Sequence, residues 1–312
     1  MNGQPGVHFN KARRSLASDG HPSYRLSLIL RIFKASLALL PGGVRTFMYD
    51  MWTKTSPLIY GKIAPSVFRV PFGLVLKRCQ GPTVEAEALS FMNTLEGIHT
   101  PLLVDSVSEG DKNYLLSTWI EGQWLPIAWD DMTSSDKERL VNDLKHQFDT
   151  LRSKTISTTH PICSAAGGPI IDPRLPWLRE NPRVFDRCQD FSERVWVGLN
   201  LNWNRNTLKP LLRPIIERDD FPIVFSHGDF TPRNIIIPGT LASWRLGHDA
   251  VHIIDWEMAG WMPTYWDPLK ATFTEWESDT EWTAVVRQIF PESNAELDAD
   301  WEWRSHSRIT IV

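Results

Sequence analysis

The chain has 312 residues, enough to bury a large core, and its 42% hydrophobic and 22% charged residues are ordinary for a globular protein. A formal net charge of −4 gives no general affinity for nucleic acid or for an anionic membrane. The three cysteines are widely spaced and include no C-x-x-C pair, which argues against a disulfide framework and a zinc site and favours a reducing compartment such as the cytoplasm.

The first part of the chain predicts a mobile tail over residues 1–23 and a helical extension over residues 24–57. The first 18 residues lack Asp and Glu, so a mitochondrial transit peptide stays open beside a cytoplasmic location. Leu26–Leu40 is an apolar run that Arg31 and Lys34 interrupt, too short and too charged to span a bilayer, so we expect no stable membrane insertion. We interpret it as an amphipathic helix packed on the next part of the chain, with a membrane-surface role as the alternative.

Two short strands, Val67–Val70 and Leu74–Arg78, are predicted around a tight turn, and the second carries Lys77 near its end. A helix follows in which Glu85 belongs to the apolar stripe, whereas Glu87 faces elsewhere. A strand lysine followed by a helix glutamate is the arrangement in which an ion pair orients the lysine onto ATP phosphates. Taken alone, Lys77 is better explained as the solvated end of a strand.

The next elements are two strands, Leu102–Val107 and Tyr114–Ile120, joined by a hairpin turn. The segment Thr118–Gly122 then leaves the sheet at a glycine, as a hinge between two lobes would. No G-x-G-x-x-G precedes Lys77, because residues 60–66 contain a single glycine. This absence weakens a protein-kinase interpretation.

Beyond the hinge the pattern changes from strands to helices. A capping box is predicted at Ser135–Glu138, and apolar residues follow it at helical spacing. Residues 155–183 contain five prolines and predict loops, and helical segments are expected from there to Pro222. The insert Pro238–Asp249 is predicted to be a surface loop between two strands.

Polar residues stand at the ends of the apolar, β-forming runs in this half of the chain. Asp229 and Asn234 are five residues apart, the spacing between the base Asp and the metal-binding Asn in the kinase loop H-R-D-x-x-x-x-N. Asp255 follows the next predicted strand. Phosphoryl transfer needs one carboxylate at the acceptor hydroxyl and hard oxygen ligands for Mg²⁺, which these residue types supply. Each residue alone also fits a turn, a loop cap or a strand end.

A recognisable set of segments surrounds these residues: His227-Gly228-Asp229 with Asn234, Ile254-Asp255-Trp256-Glu257, Ala259-Gly260-Trp261 and Tyr265-Trp266. With this set the chain resembles the aminoglycoside phosphotransferase and choline kinase-like family, in its fungal branch, over roughly residues 58–275. The resemblance implies an α+β, two-lobed protein-kinase-like fold with a small antiparallel-sheet N-lobe, residues 58–120, and a mainly helical C-lobe, residues 121–312.

The resemblance also implies a small-molecule kinase that moves the γ-phosphoryl group of ATP, with Mg²⁺, to a hydroxyl group. Asp229 is then the catalytic base and Asn234 and Asp255 the metal ligands. Lys77 and Glu85 orient the ATP phosphates, and the hinge residues Thr118, Trp119 and Ile120 contact the adenine. A pseudokinase that binds nucleotide without turnover is the alternative. A protein kinase is disfavoured because Asp255-Trp256-Glu257 stands in place of D-F-G and no A-P-E follows.

The 15 tryptophans are an excess, and many of them follow Asp255. Such aromatic side chains could form a cage for a cationic acceptor. They could equally be core residues of the helices in which they lie. The acceptor itself stays unnamed, because it depends on the shape of the substrate pocket.

Overall fold

The computed structural model describes residues 26–79, 81, 84–175 and 181–309, so the tail predicted for residues 1–23 lies outside the described residues. The predicted fold class is confirmed: a small N-lobe built on an antiparallel sheet precedes a mainly helical C-lobe. Cys163 and Cys188 are buried free thiols. No helix within the described ranges is both long and apolar enough to cross a lipid bilayer.

The N-lobe is a four-stranded antiparallel sheet in the order β1-β2-β4-β3, with one helix, α3, on its inner side. Alternation along β2 sends Leu74 and Leu76 to the outer face and Val75 and Lys77 to the inner face, because successive side chains of a strand point to opposite sides. The elements are β1 (Val67–Val70), β2 (Leu74–Cys79), α3 (Val84–Met92), β3 (Leu103–Glu109) and β4 (Lys112–Thr118).

Two helices cover the outer face of this sheet, α1 (Leu28–Ala38) and α2 (Gly42–Tyr60). A core separate from that of the C-lobe lies between them and the strands, and its buried members include Leu37 of α1 and Tyr49 of α2. The helix predicted over residues 26–40 therefore forms and packs on the N-lobe. Because α2 continues to Tyr60, the boundary predicted at residue 57 falls inside its last turn.

The connection between the lobes is short and tightly held. β4 ends at Thr118, the Trp119 N–H donates to the Gly73 carbonyl oxygen at 2.8 Å, and the next strand begins at Gly122. A Cβ atom at Gly122 would collide with the carbonyl oxygen of Ile237, so only glycine allows this close approach of the two strands.

The C-lobe contains two small antiparallel sheets among its helices, in the orders β6-β10-β7 and β5-β8-β9. Its large core includes the fully buried rings of Trp196, Trp256 and Trp266. The strands are β5 (Gly122–Trp124), β6 (Cys163–Ser164), β7 (Ile223–Ser226), β8 (Ile235–Pro238), β9 (His252–Ile253) and β10 (Gly260–Pro263). The helices are α4 (Leu125–Ala128), α5 (Ser134–Thr155), α6 (Cys188–Val195), α7 (Leu208–Ile216), α8 (Leu241–Leu246), α9 (Trp266–Ala271), α10 (Glu281–Ile289) and α11 (Asn294–His306).

Two local predictions are wrong. The capping box of α5 is not Ser135–Glu138 but Thr133 with Asp136: the Thr133 hydroxyl accepts the Asp136 N–H, and the Asp136 carboxylate accepts the Thr133 N–H. A threonine two residues earlier competes for the cap, and its partner Asp136 is also held by Arg245. The insert Pro238–Asp249 is not all loop, since it contains α8, which is anchored by a buried tryptophan.

Most aromatic residues after Asp255 belong to the core rather than to an exposed cage. Those that are buried are Trp256, Tyr265, Trp266, Trp282, Phe290 and Trp303. Trp276, in contrast, is 94% exposed. Aromatic side chains that carry large apolar area are most stable when buried, which explains this distribution.

Candidate active site

A cavity of about 460 Å³ lies between the two lobes, beneath the inner face of the N-lobe sheet. Its walls include side chains from β2, α3, the hinge, the loop after β7 and the segment after β9. The eight residues singled out from the sequence all line it: Lys77, Glu85, Thr118, Trp119, Ile120, Asp229, Asn234 and Asp255. Residues separated by up to 178 positions are therefore brought to one cleft.

Lys77 stands at the centre of an ion-pair cluster. Its ammonium nitrogen lies 2.7 and 2.8 Å from the two carboxylate oxygens of Glu85 and 2.6 Å from Asp255 Oδ1. Glu85 enters from the first turn of α3 and is buried, so it needs this partner. Burial lowers the pKa of the Lys77 ammonium, but the carboxylates of Glu85 and Asp255 outweigh this effect and hold the pKa above its usual value. Lys77 is therefore a fixed positive charge in the cleft.

The loop after β7 presents Asp229 through a sharp backbone turn. Gly228 has φ +78°, and a Cβ there would collide with the carbonyl group of Met258, so the turn requires glycine. The Asp229 N–H donates to His227 Nδ1 at 3.1 Å. That ring nitrogen must then be unprotonated, and His227 Nε2 carries the hydrogen that it donates to the Ile254 carbonyl oxygen at 2.8 Å. His227 thus ties the loop to the segment that carries Asp255.

Asn234 ends a single 3₁₀ turn, Pro232–Asn234, and closes the same loop. Its amide nitrogen donates to the backbone oxygen of Asp229 at 2.8 Å and to Asp229 Oδ2 at 3.0 Å. Because these bonds use the NH₂ group, the amide oxygen Oδ1 is the atom left to face another partner. Asp255 follows with a left-handed backbone, φ 68° and ψ 61°, and its side chain is about one third exposed to the cleft.

These two residues have the donor set that Mg²⁺ requires. One carboxylate and one amide oxygen line the same cleft, and both are hard oxygen ligands. Mg²⁺ usually takes only one or two protein ligands, with waters and phosphates completing its octahedron. Within the described ranges no group of three or more His, Cys, Asp or Glu side chains could hold a metal. A carboxylate and an amide oxygen fit a metal whose other ligands are waters and phosphates.

Asp267, in the first turn of α9, is a residue of this site that sequence reasoning missed. Its carboxylate accepts the His227 N–H at 3.2 Å and the Gly228 N–H at 2.9 Å, and the side chain is 2% exposed. Burial raises the pKa of this carboxyl, and the two backbone donors oppose the shift. A signal was present, since an Asp directly after Tyr265-Trp266 stands in an apolar context where an acid needs partners.

A second cavity, of about 620 Å³, meets the first at Val67, Lys77 and Asp255. Glu257 lines it, and burial together with the nearby Asp255 charge raises the pKa of the Glu257 carboxyl. The cleft between the lobes therefore continues into a space with one further acidic group.

Sequence comparison supports the resemblance inferred from the segments around Asp229 and Asp255. The sequence model described as the phosphotransferase enzyme family matches residues 165–305. This range includes Asp229, Asn234, Asp255 and Asp267 but does not reach Lys77, Glu85 or the hinge. No curated protein matches the chain.

One solved structure of an aminoglycoside phosphotransferase has a similar fold, and two others match with lower TM-scores. A mutant of aminoglycoside 2′-phosphotransferase-IIIa in complex with GDP is 16% identical with a TM-score of 0.50, over 84% of this chain and 86% of that chain. A thermostable APH(4)-Ia mutant with AMP-PNP and hygromycin B is 15% identical with a TM-score of 0.49, over 80% and 86%. APH(3″)-Id from Streptomyces rimosus with ADP and streptomycin is 14% identical with a TM-score of 0.45, over 83% and 98%.

Proposed function

We propose that this protein, a phosphotransferase of kinase-like fold, transfers the γ-phosphoryl group of Mg²⁺-ATP to a hydroxyl group of a small molecule. The observation that carries the proposal is the convergence of Lys77, Asp229, Asn234 and Asp255 on one cleft between the lobes. An ordinary turn, cap or strand end explains each residue singly. Asp229, Asn234 and Asp255 would have no reason to line one cavity beside the Lys77 charge if they served only as a turn, a cap and a strand end.

In this proposal Lys77 binds the α- and β-phosphates. The buried Glu85 keeps the Lys77 ammonium in place from one side while the phosphates approach from the other. Asn234 Oδ1 and the Asp255 carboxylate hold the metal, which when bound neutralises charge on the phosphates. Lys77 also contacts Asp255 at 2.6 Å, so the proposed phosphate-binding lysine and the proposed metal ligand lie side by side.

Asp229 orients the acceptor hydroxyl and accepts its proton. One of its carboxylate oxygens already accepts the Asn234 amide, so the side chain is held in a single orientation. At the hinge, the N–H groups of Thr118 and Trp119 are bonded to the Leu102 and Gly73 carbonyl oxygens. Among the described residues nothing accepts the Ile120 N–H, which makes it the hinge donor for the adenine.

The first test is a screen for acceptor-dependent ADP release. The purified protein is incubated with Mg²⁺-ATP and a panel of hydroxylated metabolites, amino alcohols and aminoglycosides. GTP is tested in parallel, because the similar 2′-phosphotransferase structure holds GDP. We expect at least one acceptor to raise the release of ADP or GDP above the no-acceptor control. The same acceptor should gain the mass of one phosphoryl group.

The second test separates catalysis from binding by two matched substitutions. Asp229→Asn keeps size and removes the proton acceptor, so turnover should fall by at least about 10² while Mg²⁺-ATP affinity changes little. Asp255→Asn removes an anionic metal ligand, so it should weaken Mg²⁺-dependent nucleotide binding as well as turnover. The reverse pattern would refute these roles. Nucleotide binding without ADP release for any acceptor would favour the pseudokinase alternative.

A further inference from the structure

The two helices of the N-terminal extension are apolar on both sides. In α1, Leu30, Phe33 and Leu37 pack on the N-lobe sheet. The opposite side of a surface helix is normally polar. Here it consists of leucines and isoleucines that are between 59% and 85% exposed: Leu28, Ile29, Ile32 and, one residue beyond the helix, Leu39.

The same pattern occurs in α2. Its packed side includes Tyr49, Trp52 and the buried Ser56. The side turned away carries apolar residues spaced three, four and seven positions apart, which places them on one stripe at 3.6 residues per turn. They are between 44% and 85% exposed: Val44, Phe47, Met51 and Leu58.

These two apolar sides form one surface, which we call the outer helix face. Both helices pack on the same face of the sheet, so the sides that point away from the sheet point in the same direction. Large apolar side chains that are exposed on the same side of two helices indicate an interaction site rather than ordinary scatter.

The charged residues of the two helices are mostly basic, although Arg45 of α2 is ion-paired with Asp105 of β3. Residues 26–62 contain five basic residues and one acid, a net charge of +4, whereas residues 63–312 contain 24 basic and 35 acidic residues, a net charge of −11. The single acid, Asp50, is already bound by Lys112 and Tyr114. Arg31 and Lys54 are exposed. The overall charge of −4 therefore conceals a basic N-terminal region.

We propose that the outer helix face binds an anionic lipid surface. Apolar side chains between basic ones fit a membrane interface, where the apolar groups enter the headgroup boundary and the basic groups meet anionic lipids. α1 has 11 residues, about 16 Å of helix, so it lies on the bilayer and does not cross it. A second copy of the chain would instead bring two faces of positive charge together.

Binding by this face leaves the candidate active site free. The cleft lies under the inner face of the N-lobe sheet, and the outer helix face lies beyond the opposite side of that sheet. The proposal is therefore independent of the proposed function. Vesicle binding and ADP release can be measured separately on the same full-length protein.

The test is co-sedimentation of the full-length protein with vesicles of phosphatidylcholine alone and with 30 mol% phosphatidylserine, roughly the anionic content that gives a cytoplasmic leaflet its negative potential. We expect binding to the phosphatidylserine vesicles that weakens from low to high salt. Lys54→Glu should weaken it severalfold, because each basic residue near an anionic surface contributes about a fivefold factor. Phe47→Glu with Leu58→Glu should reduce it by at least about tenfold.

The matched control is Leu246→Glu, which places the same charge on an 89% exposed leucine of α8, away from the outer helix face. It should bind vesicles like the unmodified protein. Thermal unfolding should show that all variants are folded, since the changed positions are exposed. Equal loss of binding in the control and the Phe47/Leu58 variant would overturn the proposal. So would absence of vesicle binding together with a dimer in light scattering that Phe47→Glu dissociates.

Discussion

A single buried carboxylate, Asp267, holds the turn on which Asp229 is presented. It accepts the N–H groups of two consecutive residues, His227 and Gly228. An Asn at this position keeps the shape but turns an NH₂ group toward one of those backbone donors. Asp267 is thus a positioning residue, because it acts on the proposed chemistry only through the loop.

We predict that Asp267→Asn lowers kcat by at least about tenfold and leaves KM for ATP within about twofold, because the loop loses its orientation while the nucleotide cleft keeps its residues. The free energy of unfolding should fall by about 1–3 kcal/mol for the unsatisfied buried donor. Steady-state kinetics and urea unfolding measure the two effects. Asp190→Asn, at an exposed acid of α6, is the control and should change neither. Loss of ATP affinity instead of turnover would contradict the positioning role.

The buried His252 of β9 should make the stability of the protein depend on pH. Burial, and then the nearby His99, lower its pKa to about 4, against 6.5 for an ordinary histidine, while Asp249 opposes the shift. Between these values the unfolded chain binds more protons than the folded chain, so stability rises with pH and is lost as the pH falls.

For this histidine we expect about 2 kcal/mol less stability at pH 5 than at pH 7, since one pKa unit corresponds to about 1.4 kcal/mol. His252→Gln cannot be protonated, so its unfolding free energy should fall less over the same interval. Urea unfolding at both pH values gives the comparison. Identical pH dependence in both proteins would show that His252 does not titrate in this window.

At the scale of elements, α8 shows how the insert between the two halves of the site is stabilised. Trp244 is buried, its indole N–H donates to the Asp249 carbonyl oxygen at 3.0 Å, and the Arg139 guanidinium lies 3.9 Å from the ring centroid. Arg245 of the same helix binds Asp136 at the start of α5. The insert is therefore a folded segment that packs against α5.

Trp244→Ala should lower the free energy of unfolding by about 3–5 kcal/mol, because it opens a cavity in the core and removes the cation-π contact. Trp276→Ala is the matched control, since its ring is almost entirely exposed, and it should change stability by no more than about 0.5 kcal/mol. Equilibrium denaturation of the two variants decides the point. Equal effects would mean that α8 contributes little to the fold.

At the scale of the whole molecule, the lobes meet at the Lys77 contact with Asp255, which is also where the nucleotide is proposed to bind. A ligand that binds only the folded protein stabilises it by mass action, about 2.7 kcal/mol at a hundredfold excess over Kd. For a chain of 312 residues, with an unfolding entropy of about 2.1 cal/mol/K per residue, that raises Tm by roughly 4 °C.

We therefore expect Mg²⁺-ATP to raise Tm in a scanning measurement, and EDTA to abolish most of the rise, because Asn234 and Asp255 bind the phosphates through the metal. EDTA added to the protein without nucleotide is the control and should leave Tm unchanged. A rise of the same size with ATP and EDTA would show that nucleotide binding does not use these residues.

From the sequence alone we could predict the strands of the N-lobe, α1, α3 and the polar residues at the strand ends around Asp229 and Asp255. These features follow from periodicity and strand-end chemistry, which are local properties of the chain. Three features became visible only in the tertiary structure. They are the backbone N–H groups that Asp267 accepts, the capping of α5 by Thr133 rather than Ser135, and the helix α8 within the insert. Each depends on a partner far along the chain, such as Arg245 for Asp136. The outer helix face is decided in the same way. Both sides of α1 and α2 are apolar in sequence, and only packing on the sheet determines which side remains exposed.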